Sequence, residues 1–289
     1  MSVMARMRAL AERAEQLLGT AVVSTTPVAG GDICTATRLR LSDGRSALMK
    51  TRPFTPDGFF GVEAAGLRWL AEPGVAEVAE VLAVNEHAIV LGWVEPTRPT
   101  PEAAAELGRM LARLHRSGAG HYGAARDGFI GQLPLPNQPA PTWPEFYAVR
   151  RVLPYLKLAR DRDHIEADDC ADVESVVRRI VDLAGPEEPP ARLHGDLWSG
   201  NVVWSAERHA VLVDPAAHGG HRETDLAMLA LFGLPHLQRL QAAYAEEYPL
   251  ADGWEDRAPL HQLFPLLVHA ALFGGGYGRQ AGDAARRLV

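Results

Sequence analysis

Residues 193–201 read Leu193-His194-Gly195-Asp196-Leu197-Trp198-Ser199-Gly200-Asn201, and Val211-Leu212-Val213-Asp214 follows. The fold is decided by how this stretch is read. Asn201 lies 5 residues after Asp196, and Asp214 lies 13 residues after Asn201. The β-prone runs Asn201–Trp204 and Ala210–Asp214 flank a polar turn at 205–209. That pattern predicts a loop followed by a short hairpin, with Asp214 at a strand end. Two carboxylates and an amide so arranged suit metal-assisted phosphoryl transfer. Asp196 can accept the proton of an attacking hydroxyl. Asn201 offers a neutral carbonyl oxygen and Asp214 an anionic one, the hard donors that Mg²⁺ takes. An isolated Asp–Asn pair would more often shape a turn. The whole string with Asp214 downstream points to chemistry.

Around this segment the chain changes texture once. Residues 3–18 read as an amphipathic helix, with Met4, Met7, Leu10, Ala14 and Leu17 near a 3.6-residue period. Strands are predicted at 21–26, 34–41, 46–51, 78–84 and 87–92, with a helix at 59–72. Asp43-Gly44 marks a hairpin turn between the second and third strands. From residue 93 on, helices dominate: 102–116, 143–160, 165–184, 222–248 and 256–289. The Gly- and Pro-rich segment 120–143 reads as an ordered loop. The expectation is an α+β chain of two lobes, residues 1–92 and 93–289, with a hinge near 91–96 and a cleft between them.

Composition narrows the class without naming it. Against 29 Lys+Arg stand 36 Asp+Glu, a net charge of −7, which argues against a general nucleic-acid binder. Two cysteines, Cys34 and Cys170, cannot build a disulfide framework and fit a reducing compartment. Charges at Arg6, Arg8, Glu12, Arg13 and Glu15 interrupt any leader-like apolar run, and no uncharged apolar stretch reaches about 18 residues. A cytoplasmic protein with no membrane span is expected. Cys34 follows the Gly30-Gly31 pair on a predicted strand, where a small packed residue is the simpler reading than a redox group.

His-Gly-Asp-x-x-x-x-Asn, with a strand ending in Asp beyond it, resembles the aminoglycoside-phosphotransferase and protein-kinase-like superfamily. The fuller string Leu-His-Gly-Asp-Leu-Trp-Ser-Gly-Asn resembles the fructosamine/ketosamine-3-kinase family more closely. So do Asp214-Pro215-Ala216 and Gly220-His221-Arg222-Glu223-Thr224-Asp225-Leu226-Ala227-Met228. Gly30-Gly31-Asp32-Ile33, Lys50, Glu63 to Leu67, the 107–115 run and His269 to Tyr277 extend the likeness over essentially the whole chain.

The resemblance implies a kinase-like bilobal fold using ATP and Mg²⁺, with the 3-hydroxyl of a ketosamine as acceptor. An aminoglycoside or another amino sugar is the alternative acceptor, and a silent nucleotide-binding module is the rival without catalysis. It implies Asp196, Asn201, Asp214 and Lys50 as catalytic residues, with Asn201 and Asp214 holding the metal. Lys50, set by Glu63, would sit over the non-transferred phosphates. Gly30 and Gly31 would approach the phosphates, and Gly92, Trp93 and Val94 would form the hinge that reads the adenine. Asp225 and His194 would steady the catalytic loop. Trp198, His218, His221 and Glu223 would face the acceptor. His218-x-x-His221 with Glu223 also has the look of a partial zinc site, for which a substrate-facing loop is the preferred reading. His218 and Gly219 stand where the family's loop usually carries aromatic residues. Gly274-Gly275-Gly276-Tyr277 follows a predicted helix, so it reads as a helix end rather than a phosphate loop.

Overall fold

Among the described residues, five strands and two helices form the first part of the chain. The computed structural model describes residues 3–29 and 33–289, with side chains from residue 7 on. In chain order these are α1 (Val3–Leu18), β1 (Val22–Val28), β2 (Thr35–Leu41), β3 (Ser46–Thr51), α2 (Phe59–Ala71), β4 (Val81–Asn85) and β5 (Ala88–Gly92). The sheet order is β1-β2-β3-β5-β4 and every pair is antiparallel. Alternation on β3 divides its faces. Ala47 and Met49 join a core with Ala14 of α1, while Leu48 packs against Phe60, Ala64 and Leu67 of α2. Lys50 falls on the α2 face, the face that carries Glu63 opposite it.

The second part is mostly helical. It runs α3 (Pro101–Arg116), β6 (Gly128–Ile130), β7 (Leu133–Leu135) and α4 (Trp143–Phe146). A π-helical turn, Tyr147–Val152, then leads into α5 (Leu153–Asp161), α6 (Ala167–Arg178) and α7 (Ile180–Leu183). Next come β8 (Ala191–Leu193), β9 (Val202–Ser205), β10 (His209–Leu212) and β11 (His218–Gly220). The chain ends with α8 (Glu223–Phe232), α9 (Leu237–Glu247), α10 (Trp254–Phe273) and α11 (Tyr277–Arg286). The result is a bilobal α+β fold, an antiparallel-sheet lobe followed by a helical one. No helix of the described residues is long and apolar enough to cross a membrane.

Two packing devices fix the helical lobe under the site. The first is the α3–α9 contact. A Cβ on Gly108 would stand 2.2 Å from the carbonyl oxygen of Leu240, so only glycine lets the two backbones approach. The second lies in α10. Pro265 has no N–H, so the His261 carbonyl loses its usual helical donor. The Tyr147 hydroxyl lies 2.9 Å from that oxygen and 2.8 Å from the Leu260 carbonyl. The π-helical turn delivers Tyr147 to this point.

Three local expectations change. The 120–143 segment holds the β6–β7 hairpin. β8 and β11 pair with each other, three residues each, too short to show alternation in the sequence. Asp214 lies two residues beyond β10 in a left-handed conformation, φ 53°, instead of ending a strand.

Tyr147→Phe removes the donor that serves the proline-broken turn. The expected loss is about 1–3 kcal/mol of unfolding free energy, measured by urea denaturation, with the fold retained by circular dichroism.

Candidate active site

Asp225 in the first turn of α8 organises the loop between β8 and β9. One carboxylate oxygen accepts the His194 N–H at 2.8 Å and the other accepts the Gly195 N–H at 2.9 Å. His115 of α3 brings Nε2 to 3.3 Å from the same carboxylate, and its Nδ1 meets the Tyr244 hydroxyl at 2.9 Å. Burial alone would raise the pKa of Asp225. His115 and the loop amides outweigh it and hold the carboxyl below its usual range.

His194 has a fixed tautomer. Its Nε2–H donates to the Val213 carbonyl at 2.9 Å, and Nδ1 faces the Asp196 N–H at 3.3 Å. Burial lowers its pKa, so the ring is neutral and acts as a brace between the loop and the strand leading to Asp214. Gly195 sits at φ 81°, and a Cβ there would lie 2.2 Å from the Ala216 carbonyl oxygen. The chain can therefore turn and present Asp196 to the cleft.

Asp196 and Asn201 face each other across the loop. The Asn201 amide nitrogen lies 3.0 Å from Asp196 Oδ2, 2.7 Å from the Asp196 carbonyl and 3.4 Å from the Asp214 carbonyl. Its donors are spent inside the loop, which leaves Oδ1 as an acceptor. Desolvation pushes the Asp196 carboxyl up to about 7, with Asp214 and Asp225 adding to it and the Asn201 hydrogen bond opposing it.

Lys50 joins the lobes. Its ammonium is 2.8 Å from Glu63 Oε1 and 2.7 Å from Asp214 Oδ1. Burial works to neutralise it, but the two carboxylates prevail and hold it charged, above the ordinary lysine range. The carboxylate of Asp214 is exposed to the cleft, while Glu63 is largely covered.

At the segment expected to be the hinge, the Gly92 N–H donates to the Glu80 carbonyl at 2.8 Å and the Trp93 N–H to the Ser46 carbonyl at 3.2 Å. Val94 is the first hinge residue whose N–H has no protein acceptor among the described residues. Gly30 and Gly31 lie outside the described residues. Cys34 is half-buried, and burial pushes its thiol up, which keeps it protonated and unreactive.

The four residues expected at the acceptor separate. Trp198 is 41% exposed and its ring lies against Gly200. His218 is buried on β11, where Nδ1 is 2.8 Å from the Ala216 carbonyl and the ring lies beside Phe146. His221 and Glu223 are 3% and 1% exposed, so the substrate-facing loop expected for them turns inward. Arg257 grips Glu223 with two bonds of 2.6 and 3.0 Å. The residues with ligand atoms within 4.8 Å of one another are His221, Glu223 and His261, without His218. Arg257 already supplies the positive charge there. The physical reason is α10 packing against α8, which brings His261 over this segment, while Trp143 of α4 covers it from another side.

His115 belongs to the site but carries no motif signal of its own, since one histidine on an apolar helix reads as core. Arg151 is equally silent in the sequence. It is fully buried, has no carboxylate partner among the described residues, and bonds Pro136 O and Asn137 Oδ1, both at 2.6 Å.

Fold and site together define a kinase-like phosphotransferase, with a cation held between lobes and paired acids at the cleft floor. The fructosamine kinase family model matches residues 6–289, and the chain belongs to that family. A Thermus thermophilus protein described as a probable ketoamine kinase is 41% identical over 252 residues, 87% of this chain and 88% of that one. The chloroplastic protein-ribulosamine 3-kinase of Arabidopsis thaliana is 32% identical over 273 residues, 91% of this chain and 81% of that one. The crystal structure of a Thermobifida fusca protein assigned as a fructosamine-3-kinase superposes with a TM-score of 0.93. It is 47% identical and covers 97% of this chain and 98% of that one. The chain is thus an ATP-dependent ketosamine kinase at the level of its family.

The buried histidines give the fold an acid limit. Desolvation lowers His218 and His221 to about 3, aided by Arg151 for the first and His261 for the second. An unfolded chain takes up these protons from pH 6.5 downward, whereas the folded one refuses them until about 3. Stability is therefore full above pH 6.5 and falls through the interval, by up to about 1.4 kcal/mol per pH unit for each ring. Urea unfolding at pH 7 and 5 checks this. His218→Gln with His221→Gln should flatten the dependence.

Proposed function

We propose that this chain phosphorylates the 3-hydroxyl of a ketosamine, a fructosyl- or ribulosyl-amine, at the site built on Asp196. The observation that carries the reading is the loop itself. Asp225 and His194 hold it so that Asp196, Asn201 and Asp214 converge within hydrogen-bond reach, opposite Lys50. Residues 1–92 serve as the nucleotide lobe and 93–289 as the catalytic and acceptor lobe, with 91–96 as hinge. The chain carries two free cysteines, which agrees with a reducing cytoplasmic setting.

The acceptor hydroxyl attacks the γ-phosphorus of ATP. Its proton passes to Asp196, the new bond forms from the sugar oxygen, and the bond to the β–γ bridging oxygen breaks to release ADP. Lys50, braced by Glu63, neutralises the non-transferred phosphates. The Val94 N–H is the hinge donor to the adenine edge, with Gly92 and Trp93 fixing the hinge backbone. Gly30 and Gly31 would lie over the phosphates. Trp198 offers an open ring face beside Asp196 for the sugar.

The donor set fits Mg²⁺. Asn201 Oδ1 and the Asp214 carboxylate are hard oxygens, and one or two such ligands plus phosphate oxygens are what the ion takes. Bound there, it would supply charge neutralisation for the phosphates. The catalytic power left to the chain is positioning and electrostatics.

Asp196→Asn is expected to abolish turnover while ATP binding stays within about threefold, read by calorimetry beside an ADP-release assay. In the wild type, protonation of Asp196 removes the base. The rate should therefore fall as the pH drops through the range in which Asp196 takes up its proton, by up to about tenfold per pH unit. Fructosyl- and ribulosyl-amine substrates tested side by side identify the acceptor. Product from neither would overturn the acceptor assignment.

A further inference from the structure

Two residues beyond Lys50, just past the end of β3, stands a second cation, Arg52. Ala47 pairs with Gly92, so β3 begins beside the hinge and runs away from it. Residues on one face of a strand recur every second position, roughly 6.6 Å apart. From the hinge outward the α2 face shows Leu48 and then Lys50, and Arg52 follows just past the strand end, turned toward α2. The guanidinium of Arg52 lies over the ring of Phe59, the first residue of α2, with its carbon 5.0 Å from the ring centroid. Its Nη1 is buried and has no hydrogen-bond partner among the described residues. Buried donors almost always have one. Phe59 in turn meets Phe129 of the β6–β7 hairpin at 5.1 Å, so Arg52 stands where the two lobes touch.

Charge places it in the same neighbourhood as the phosphate site. The Cys34 thiol feels Arg52 together with Lys50, Glu63 and Asp214. A nucleotide laid from the hinge to Lys50 puts its base near Leu48 and its α- and β-phosphates at Lys50. The next step outward is the γ-phosphoryl group.

We infer that Arg52 is a further catalytic residue, whose orphaned Nη1 donates to an equatorial oxygen of the γ-phosphoryl group during transfer. The inference rests on the nucleotide placement proposed above. Arg52 makes and breaks no covalent bond and moves no proton. It supplies a guanidinium where charge spreads over the transferred group, a role arginine fills in other phosphoryl-transfer enzymes. The fork suits tetrahedral and planar oxyanions alike, which a lysine ammonium matches less well. The Phe59 ring holds it in place and shields it from water.

The test uses the full chain with Mg²⁺, ADP and fluoroaluminate, a mimic of the group in flight. Arg52→Gln should lower kcat about 10²-fold or more with KM for ATP within about twofold. Arg52→Lys should recover part of the loss. Affinity for MgADP should stay near wild type in both, while the extra affinity contributed by fluoroaluminate should drop at least tenfold in Arg52→Gln. Unchanged fluoroaluminate affinity, or a loss of MgADP affinity equal to it, overturns the inference, because a merely structural Arg52 would act through α2 and Glu63. Lys50→Met serves as the control on the underlying placement. If it leaves MgADP binding intact, the nucleotide assignment fails by itself.

Discussion

One buried ammonium holds the two halves of this enzyme in register. Lys50 comes from a central strand, Glu63 from the helix beside it, and Asp214 from a turn 164 residues away. A lone ammonium at that depth would be costly and would tend to lose its proton. Two carboxylates within hydrogen-bond distance reverse this. The arrangement also explains why Asp214 sits off the end of its strand. A left-handed turn aims its carboxylate across the cleft at Lys50, where a continuing strand would alternate away from it. The strain of φ 53° at a non-glycine residue is stored at the residue that meets Lys50 across the cleft.

The opposite problem arises on the cleft floor, where acids crowd together. Asp214 and Asp225 both act electrostatically to raise Asp196. The structure separates their roles by giving them different donors. Asp225 receives two backbone N–H groups and a histidine and stays ionised deep in the protein. Asp196 receives one amide from Asn201 and rises to about 7. The same group, a carboxylate, is thereby held ionised in one place and pushed toward its protonated form in another. His194 remains neutral between them, because a charged ring there would be buried without its own partner.

Much of this was legible from residues 193–214, because a loop that needs an acid, an amide and a second acid at set spacing leaves few alternatives. Long periodic elements such as α3 and β3 were legible for the same reason. The three-residue strands β6, β7, β8 and β11 were not, since nothing that short shows a period. The π-helical turn was hidden too. It exists to bring Tyr147 to carbonyls on α10 and Arg151 to the 134–137 loop, contacts more than ten residues away in sequence. His221 and Glu223 read as polar and loop-borne, yet both are buried. Their charges and rings are satisfied by Arg257, His261 and Trp143, partners that no local pattern announces.

What the amino-acid string determined alone was the chemistry available: which acids, amide and cation exist, and the loop lengths that let them converge. Side-chain type and spacing are local properties, so they survive reading in one dimension. Which polar residues face the cleft was decided only in three dimensions. Burial, hydrogen-bond partners and pKa arise from segments far apart in the chain. The packing of α10 on α8 turned His221 inward, and the run of β3 away from the hinge set Arg52 beyond Lys50.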